Sequence, residues 1–132
     1  MDEDIEAEFV KTFIQKRLQE RIIWELASEK KRRHAILRFS HYTDEIVKHQ
    51  YILKKSNKLN IIQLLHELTA EASCYVIAAD KHELDGQQMT LDTAVQRCFD
   101  GWPAIMIISK KLAVIETEAV FGTADKYILR AV

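Results

Sequence analysis

Ala104-Ile105-Met106-Ile107-Ile108 is an unbroken apolar run that stops at Ser109-Lys110-Lys111. A strand with one wet face alternates apolar and polar residues, so a continuous run reads as a central strand covered on both faces. Working back along the chain, Gly101 and Pro103 end a helix that Thr90 caps, with Leu91, Ala94, Val95, Cys98 and Phe99 inward. A polar loop precedes it, Asp80 to Met89, with an Asp85-Gly86 turn. Before the loop, Cys74 to Ala79 reads as a second buried strand. The strand-helix-strand unit from Cys74 to Ile108 fits a right-handed parallel crossover. Leu112 to Val120 and Lys126 to Ala131 complete the sheet, joined too briefly for crossovers and therefore antiparallel.

Upstream, Asn60 with Gln63 forms a capping box and Leu59 with Leu64 a hydrophobic staple, opening a helix that faces Ile61, Leu64, Leu65, Leu68 and Ala72 inward. The N-terminal third is helical. Val10, Ile14, Leu18, Ile22 and Leu26 recur every fourth residue as an amphipathic stripe. Acids crowd its start and Lys30, Lys31, Arg32 and Arg33 its far end, as the helix macrodipole favours. At 1.5 Å per residue such a helix runs about 36 Å, so it kinks near Ser28 or projects beyond the core. A second helical segment covers Glu29 to Phe39. From Ser40 to Lys58 the pattern weakens: Thr43-Asp44-Glu45 caps a short helix, and Tyr51-Ile52-Leu53 fits either a strand or more helix. The expected fold is α+β: a long N-terminal helix and further helices packed on a small mixed, mainly antiparallel sheet of three to five strands. One domain spans 1–132, helical over about 1–58 and helix plus sheet over about 59–132.

The composition narrows the function. Three glycines and one proline leave little material for sandwiches, barrels or glycine-rich phosphate loops. A net charge of −1 gives no global pull toward nucleic acid or anionic lipid. Two cysteines, Cys74 and Cys98, both at apolar positions, suit a reducing compartment. No apolar stretch is long enough to span a bilayer, and the acidic start is unlike a signal peptide, so a cytoplasmic chain is expected.

Several places could hold chemistry. Asp80, His82 and Asp85 share the loop after a strand, a favoured ligand location if the flanking unit is parallel; a solvated connection is the plainer reading. His41, Glu45 and His49 have helical spacing, but a cap at Thr43 would break their alignment. The run Lys30, Lys31, Arg32, Arg33 could meet phosphates, though no aromatic interleaving accompanies it and Glu20, Glu25 and Glu29 dilute it. Glu116 and Glu118 point to one side of a strand, read as an exposed sheet face. Trp24 lies about 200° from Ile22 around its helix, off the main stripe, as a binding anchor or as part of a second apolar face. No Walker motif, nucleophile elbow, zinc signature or dinucleotide fingerprint occurs. The expectation is a non-enzymatic protein-binding domain, of bacterial adaptor or toxin-immunity kind, without catalytic residues, metal or cofactor. A homodimer through the first helix is a further option. The alternatives are ligand binding or catalysis at the 80–86 loop, and nucleic-acid binding through 30–33.

Overall fold

The computed structural model describes residues 1–57, 60–119 and 124–131. The helices are α1 (Glu3–Phe13), α2 (Lys16–Ala27), α3 (Arg32–His41), α4 (Thr43–Ile46), α5 (Ile61–Leu68) and α6 (Leu91–Cys98), with a 3-10 turn at His49–Tyr51. The strands are β1 (Ile52–Ser56), β2 (Ser73–Ala78), β3 (Gln88–Thr90), β4 (Ala104–Ser109), β5 (Leu112–Glu116) and β6 (Lys126–Arg130). They form one six-stranded sheet in the order β1-β6-β5-β4-β2-β3. The fold class is α+β, as expected, but the sheet has six strands instead of three to five.

Every pairing is antiparallel, so the sheet is not mixed. The parallel crossover fails because the loop after β2 reverses the chain. β3 then runs back along β2, Ser73 opposite Thr90, and delivers α6 to the end where β2 began. β4 must return antiparallel, with Tyr75 opposite Ile107 and Ala78 opposite Ala104. The two added strands, β1 and β3, are the edges. The Tyr51-Ile52-Leu53 ambiguity resolves into a turn followed by β1.

The continuous apolar runs have the expected cause: both faces of the sheet are covered. Tyr75, Ile77, Ile105, Ile107, Ile115 and Leu129 pack under Phe9 and Phe13 of α1, Ile22 and Leu26 of α2, and Ile36 and Phe39 of α3. On the other face, Val76, Ala78, Met106, Val114 and Ile128 meet Ile61 and Leu65 of α5 and Leu91, Ala94 and Cys98 of α6. Asn60 caps α5 by accepting the Gln63 N–H, and Thr90 caps α6 by accepting the Thr93 N–H. Leu59 of the expected staple and Val120 of the expected strand lie outside the described residues.

The N-terminal rod is the main departure. It breaks at Ile14-Gln15, both in extended backbone, as well as at Ser28. The hydrogen bonds lost at the break are replaced across the chain. Ile14 bridges Val47, the Gln15 N–H donates to the Ile46 carbonyl (2.9 Å), and the Lys48 N–H donates to the Phe13 carbonyl (2.7 Å). A straight rod would leave half its stripe beyond the sheet; the break turns α2 back so that Ile22 and Leu26 join the same core.

Candidate functional site

The residues singled out near the 80–86 loop do converge, on a cleft of about 490 Å³ between that loop and the corner where α2 hands over to α3. Its apolar lining includes Leu26, Ile36, Ala78 and Ala79; Arg33, Asp80 and His82 lie at its rim.

The loop itself is ordered by its own turns. The Leu84 and Asp85 N–H groups both donate to the Lys81 carbonyl (3.0 Å each), and the Gly86 N–H donates to the Val76 carbonyl (2.8 Å). Leu84 plugs into the α5–α6 core at 2% exposure. Lys81 ties the loop to α6 through the Arg97 carbonyl (3.0 Å) and the Asp100 carboxylate. Asp80 holds a left-handed φ of 62°, uncommon for a residue with a Cβ. The Arg33 guanidinium grips it at 2.6 and 3.1 Å and holds its carboxyl below the usual range. This pair is exposed. His82 is exposed too.

Arg32 is buried against Asp85, which takes it out of the basic run expected to meet phosphates over 30–33. Arg32 Nε donates to Asp85 Oδ2 (2.8 Å), and Nη2 to Asp85 Oδ1 (2.8 Å) and Glu6 Oε2 (2.7 Å). Nη1 donates to Glu6 Oε1 (2.5 Å) and the Leu26 carbonyl (3.0 Å). A guanidinium has five N–H donors, and all five are used. The carboxylates accept more: Asp85 Oδ1 from the Ala78 N–H (3.1 Å), and Glu6 Oε2 from the Tyr75 hydroxyl (2.6 Å), which itself accepts the Asp2 N–H (3.0 Å). Burial pulls the Arg32 pKa down, but the hydrogen bonds to Asp85 and Glu6 and their charges outweigh it and hold the pKa above its ordinary value. Burial, with the bond to Glu6, pushes the Tyr75 phenol up. With every donor of Arg32 taken, the guanidinium has no N–H left for a ligand. It ties α1, the end of α2, α3 and the loop together.

A second buried carboxylate is held by a half-buried arginine. Glu25, expected among the charges diluting a basic surface, faces inward at 5% exposure and is held by Arg38. Sequence reasoning missed Glu6, Glu25 and Tyr75. Glu6 precedes Phe9 and Val10 by three and four residues, and Glu25 follows Ile22 by three. Those spacings place a carboxylate on the apolar stripe, a usable signal for a buried ion pair.

Glu116 corrects another expectation. It is 1% exposed, because its side of β5 faces the α5–α6 layer instead of solvent. Lys126, directly opposite on β6, reaches its Oε1 at 3.2 Å, while Oε2 has no hydrogen-bond partner among the described residues. Burial pushes its carboxyl up against the pull of Lys126. Glu118 is half-buried, 3.5 Å from His41.

The other candidates scatter. His41 ends α3, Glu45 sits on α4 and His49 on the 3-10 turn, where its Nε2 meets the Asp44 carbonyl. Among the described residues no three His, Cys, Asp or Glu side chains gather as a metal ion would require. Burial pushes the Cys74 thiol up to about 12 and raises Cys98 as well, so neither is poised as a nucleophile. No helix among the described residues is long and apolar enough to cross a membrane. A smaller hollow of about 240 Å³ opens between α1 and the β2–β4 corner, floored by Phe9, Tyr75 and Ile107. Trp24 lies apart from all of these, 62% exposed on the outer face of α2. Comparison of the chain with protein-family models, with curated proteins and with solved structures finds no match.

Proposed function

We propose that the chain is a non-enzymatic, intracellular protein-binding domain of adaptor or toxin-immunity kind, with α2 as its contact element. The observation that carries this reading is Trp24. A large aromatic side chain held 62% exposed on a packed helix gains little from folding, whereas tryptophan is among the side chains that dominate binding energy at protein interfaces. The polar groups suited to catalysis have other employment. All five donors of Arg32 are used by Asp85, Glu6 and the Leu26 carbonyl, Asp85 is held by Arg32 and the Ala78 N–H, and Asp80 is engaged by Arg33. That leaves His82, with the exposed carboxylates Glu3 and Glu29, along the cleft, none of them buried as the reading of the 80–86 loop as a catalytic site would favour. Nucleic-acid binding through 30–33 loses Arg32 to the interior and has Arg33 paired.

The test is recovery of the tagged chain from its source cells at physiological salt, with co-purifying proteins compared between the wild type and Trp24→Asp. A protein retained by the wild type and by Trp24→Phe, and lost from Trp24→Asp, is the expected result. Identical recoveries for wild type and Trp24→Asp would end the proposal.

A further inference from the structure

We infer that the outer face of α2 receives an acidic protein surface, with Trp24 filling an apolar pocket on the partner and Arg17 and Arg21 pairing with carboxylates around it; this rests on the protein-binding reading above. The exposed positions of α2 are Lys16, Arg17, Glu20, Arg21, Trp24 and Ala27. At 100° per residue they occupy a window of about 140°, with Trp24 close to its middle. Arg21 lies one turn before the indole and Arg17 two. The opposite side of the helix is already committed to the core through Ile22, Glu25 and Leu26.

The charge on this face is one-sided although the chain as a whole carries −1. From α2 to the start of α3 the exposed bases are Lys16, Arg17, Arg21, Lys30, Lys31 and Arg33, against the exposed acids Glu20 and Glu29; Arg33 is already paired with the exposed Asp80, and Arg21 lies 3.7 Å from Glu25. Helix stability accounts in part for Arg21, which forms this i,i+4 ion pair with Glu25 while its side chain stays 69% exposed, but it does not account for Lys16 and Arg17. The break at Ile14-Gln15 makes Lys16 and Arg17 the first turn of a helix, where the positive end of the macrodipole disfavours them. That turn has no acidic residue and no side-chain cap. Bases kept where the dipole opposes them, beside an exposed tryptophan, match the Trp and Arg enrichment of binding hot spots.

The same features select among partners. A bilayer would require a broad apolar face, and this one offers a single indole and Ala27. A nucleic-acid strand is read by a row of stacking rings along a continuous basic track; here there is one ring on the face, and Glu20 and Glu29 interrupt the track. A second copy docked face to face would set one basic face against another. An acidic protein surface has none of these conflicts, and its attraction weakens with salt.

The experiment uses the full chain with a photo-crosslinking phenylalanine analogue in place of Ala27, activated in extract of the source cells at about 50 and about 500 mM salt. It is repeated with Trp24→Asp, with Arg17→Glu and Arg21→Glu together, and with Leu53→Asp on the distant β1 edge as control. All of these positions are exposed, and melting curves verify that each variant folds. The expected result is a protein adduct whose crosslinked segment is rich in Asp and Glu. Its yield should fall about tenfold or more with high salt and with the double reversal, vanish with Trp24→Asp, and hold with Leu53→Asp. An adduct lost with Trp24→Asp but indifferent to salt and to the double reversal overturns the acidic partner and leaves protein binding standing. An adduct indifferent to Trp24→Asp, or no adduct at all, overturns both. Salt-sensitive binding to phosphatidylglycerol vesicles or to a 30-nucleotide single strand, lost on the double reversal, overturns the choice of partner class.

Discussion

Replacing Arg32 by methionine keeps most of the side-chain volume and removes the charge at the centre of the Glu6–Arg32–Asp85 knot. Side-chain exposures of 7%, 4% and 9% for Arg32, Glu6 and Asp85 place all three away from bulk water. The variant would therefore bury two carboxylates with no counterion. Breaking a buried pair from one side costs about 3–5 kcal/mol, because the abandoned charge keeps its desolvation penalty. For a chain of 132 residues the entropy of unfolding is about 0.28 kcal/mol per degree. A loss near 4 kcal/mol then lowers Tm by about 14 °C. The knot adds its own control. The triple variant Glu6→Gln, Arg32→Met, Asp85→Asn leaves no charge in the knot. Its new side-chain amide at position 6 can still accept the Tyr75 hydroxyl, and the one at position 85 the Ala78 N–H. Stability should then return to within about 1–2 kcal/mol of wild type. Urea denaturation and calorimetry at pH 7 measure both variants. A single variant that loses less than about 1 kcal/mol, or a triple variant no better than the single, refutes the knot as a desolvated ion cluster.

Other consequences are as direct. Glu116, whose carboxyl is raised by burial, favours its protonated form in the fold. That contribution is fully present below the unfolded pKa and is lost as pH rises through the folded one. Glu116→Gln, which mimics the protonated form, should thus gain more stability at pH 7.5 than at pH 4 in urea titrations; the reverse order refutes this. Cys74 and Cys98 should resist iodoacetamide in native buffer at pH 8 and be alkylated at once in urea, which mass spectrometry reads directly; ready labelling of the native chain would contradict their burial. Gly86 holds a φ of +78°, and a Cβ there would sit 2.8 Å from Met1 Cγ. Gly86→Ala should cost about 1–2 kcal/mol in the same denaturation assay, through backbone strain more than through the movable Met1 side chain, and an unchanged midpoint would refute it.

Apolar pattern made the layers legible and was silent on what crosses between them. The unbroken run 104–108 required cover on both faces of its strand, and the caps at Asn60 and Thr90 stand where their side chains placed them. Direction was not readable. The run 74–79, the helix at 91–98 and the run 104–108 look the same in a parallel unit, and only the three residues of β3, too few for an alternation pattern, reverse the chain between them. The break at Ile14-Gln15 is hidden for a different reason: neither residue is a helix breaker, and the bonds that replace the lost turn come from Ile46 and Val47, some thirty positions on. At the candidate site Arg32 looked like its neighbours Lys31 and Arg33. Its partners at positions 6 and 85 are separated from it by spans that periodicity does not reach. Trp24, by contrast, was legible as an off-stripe residue, and its exposure needed only the direction of the helix.

One guanidinium therefore joins segments 26 and 53 positions away along the chain. Contacts across such spans pay loop-closure entropy before they return anything, so they consolidate after the local hairpins and helical turns. Interactions absent from the folding transition state leave the rate of folding nearly untouched and bear on the rate of coming apart. Arg32 is accordingly expected to act as a brake on unfolding: Arg32→Met should raise the unfolding rate and leave the folding rate nearly unchanged in stopped-flow urea jumps.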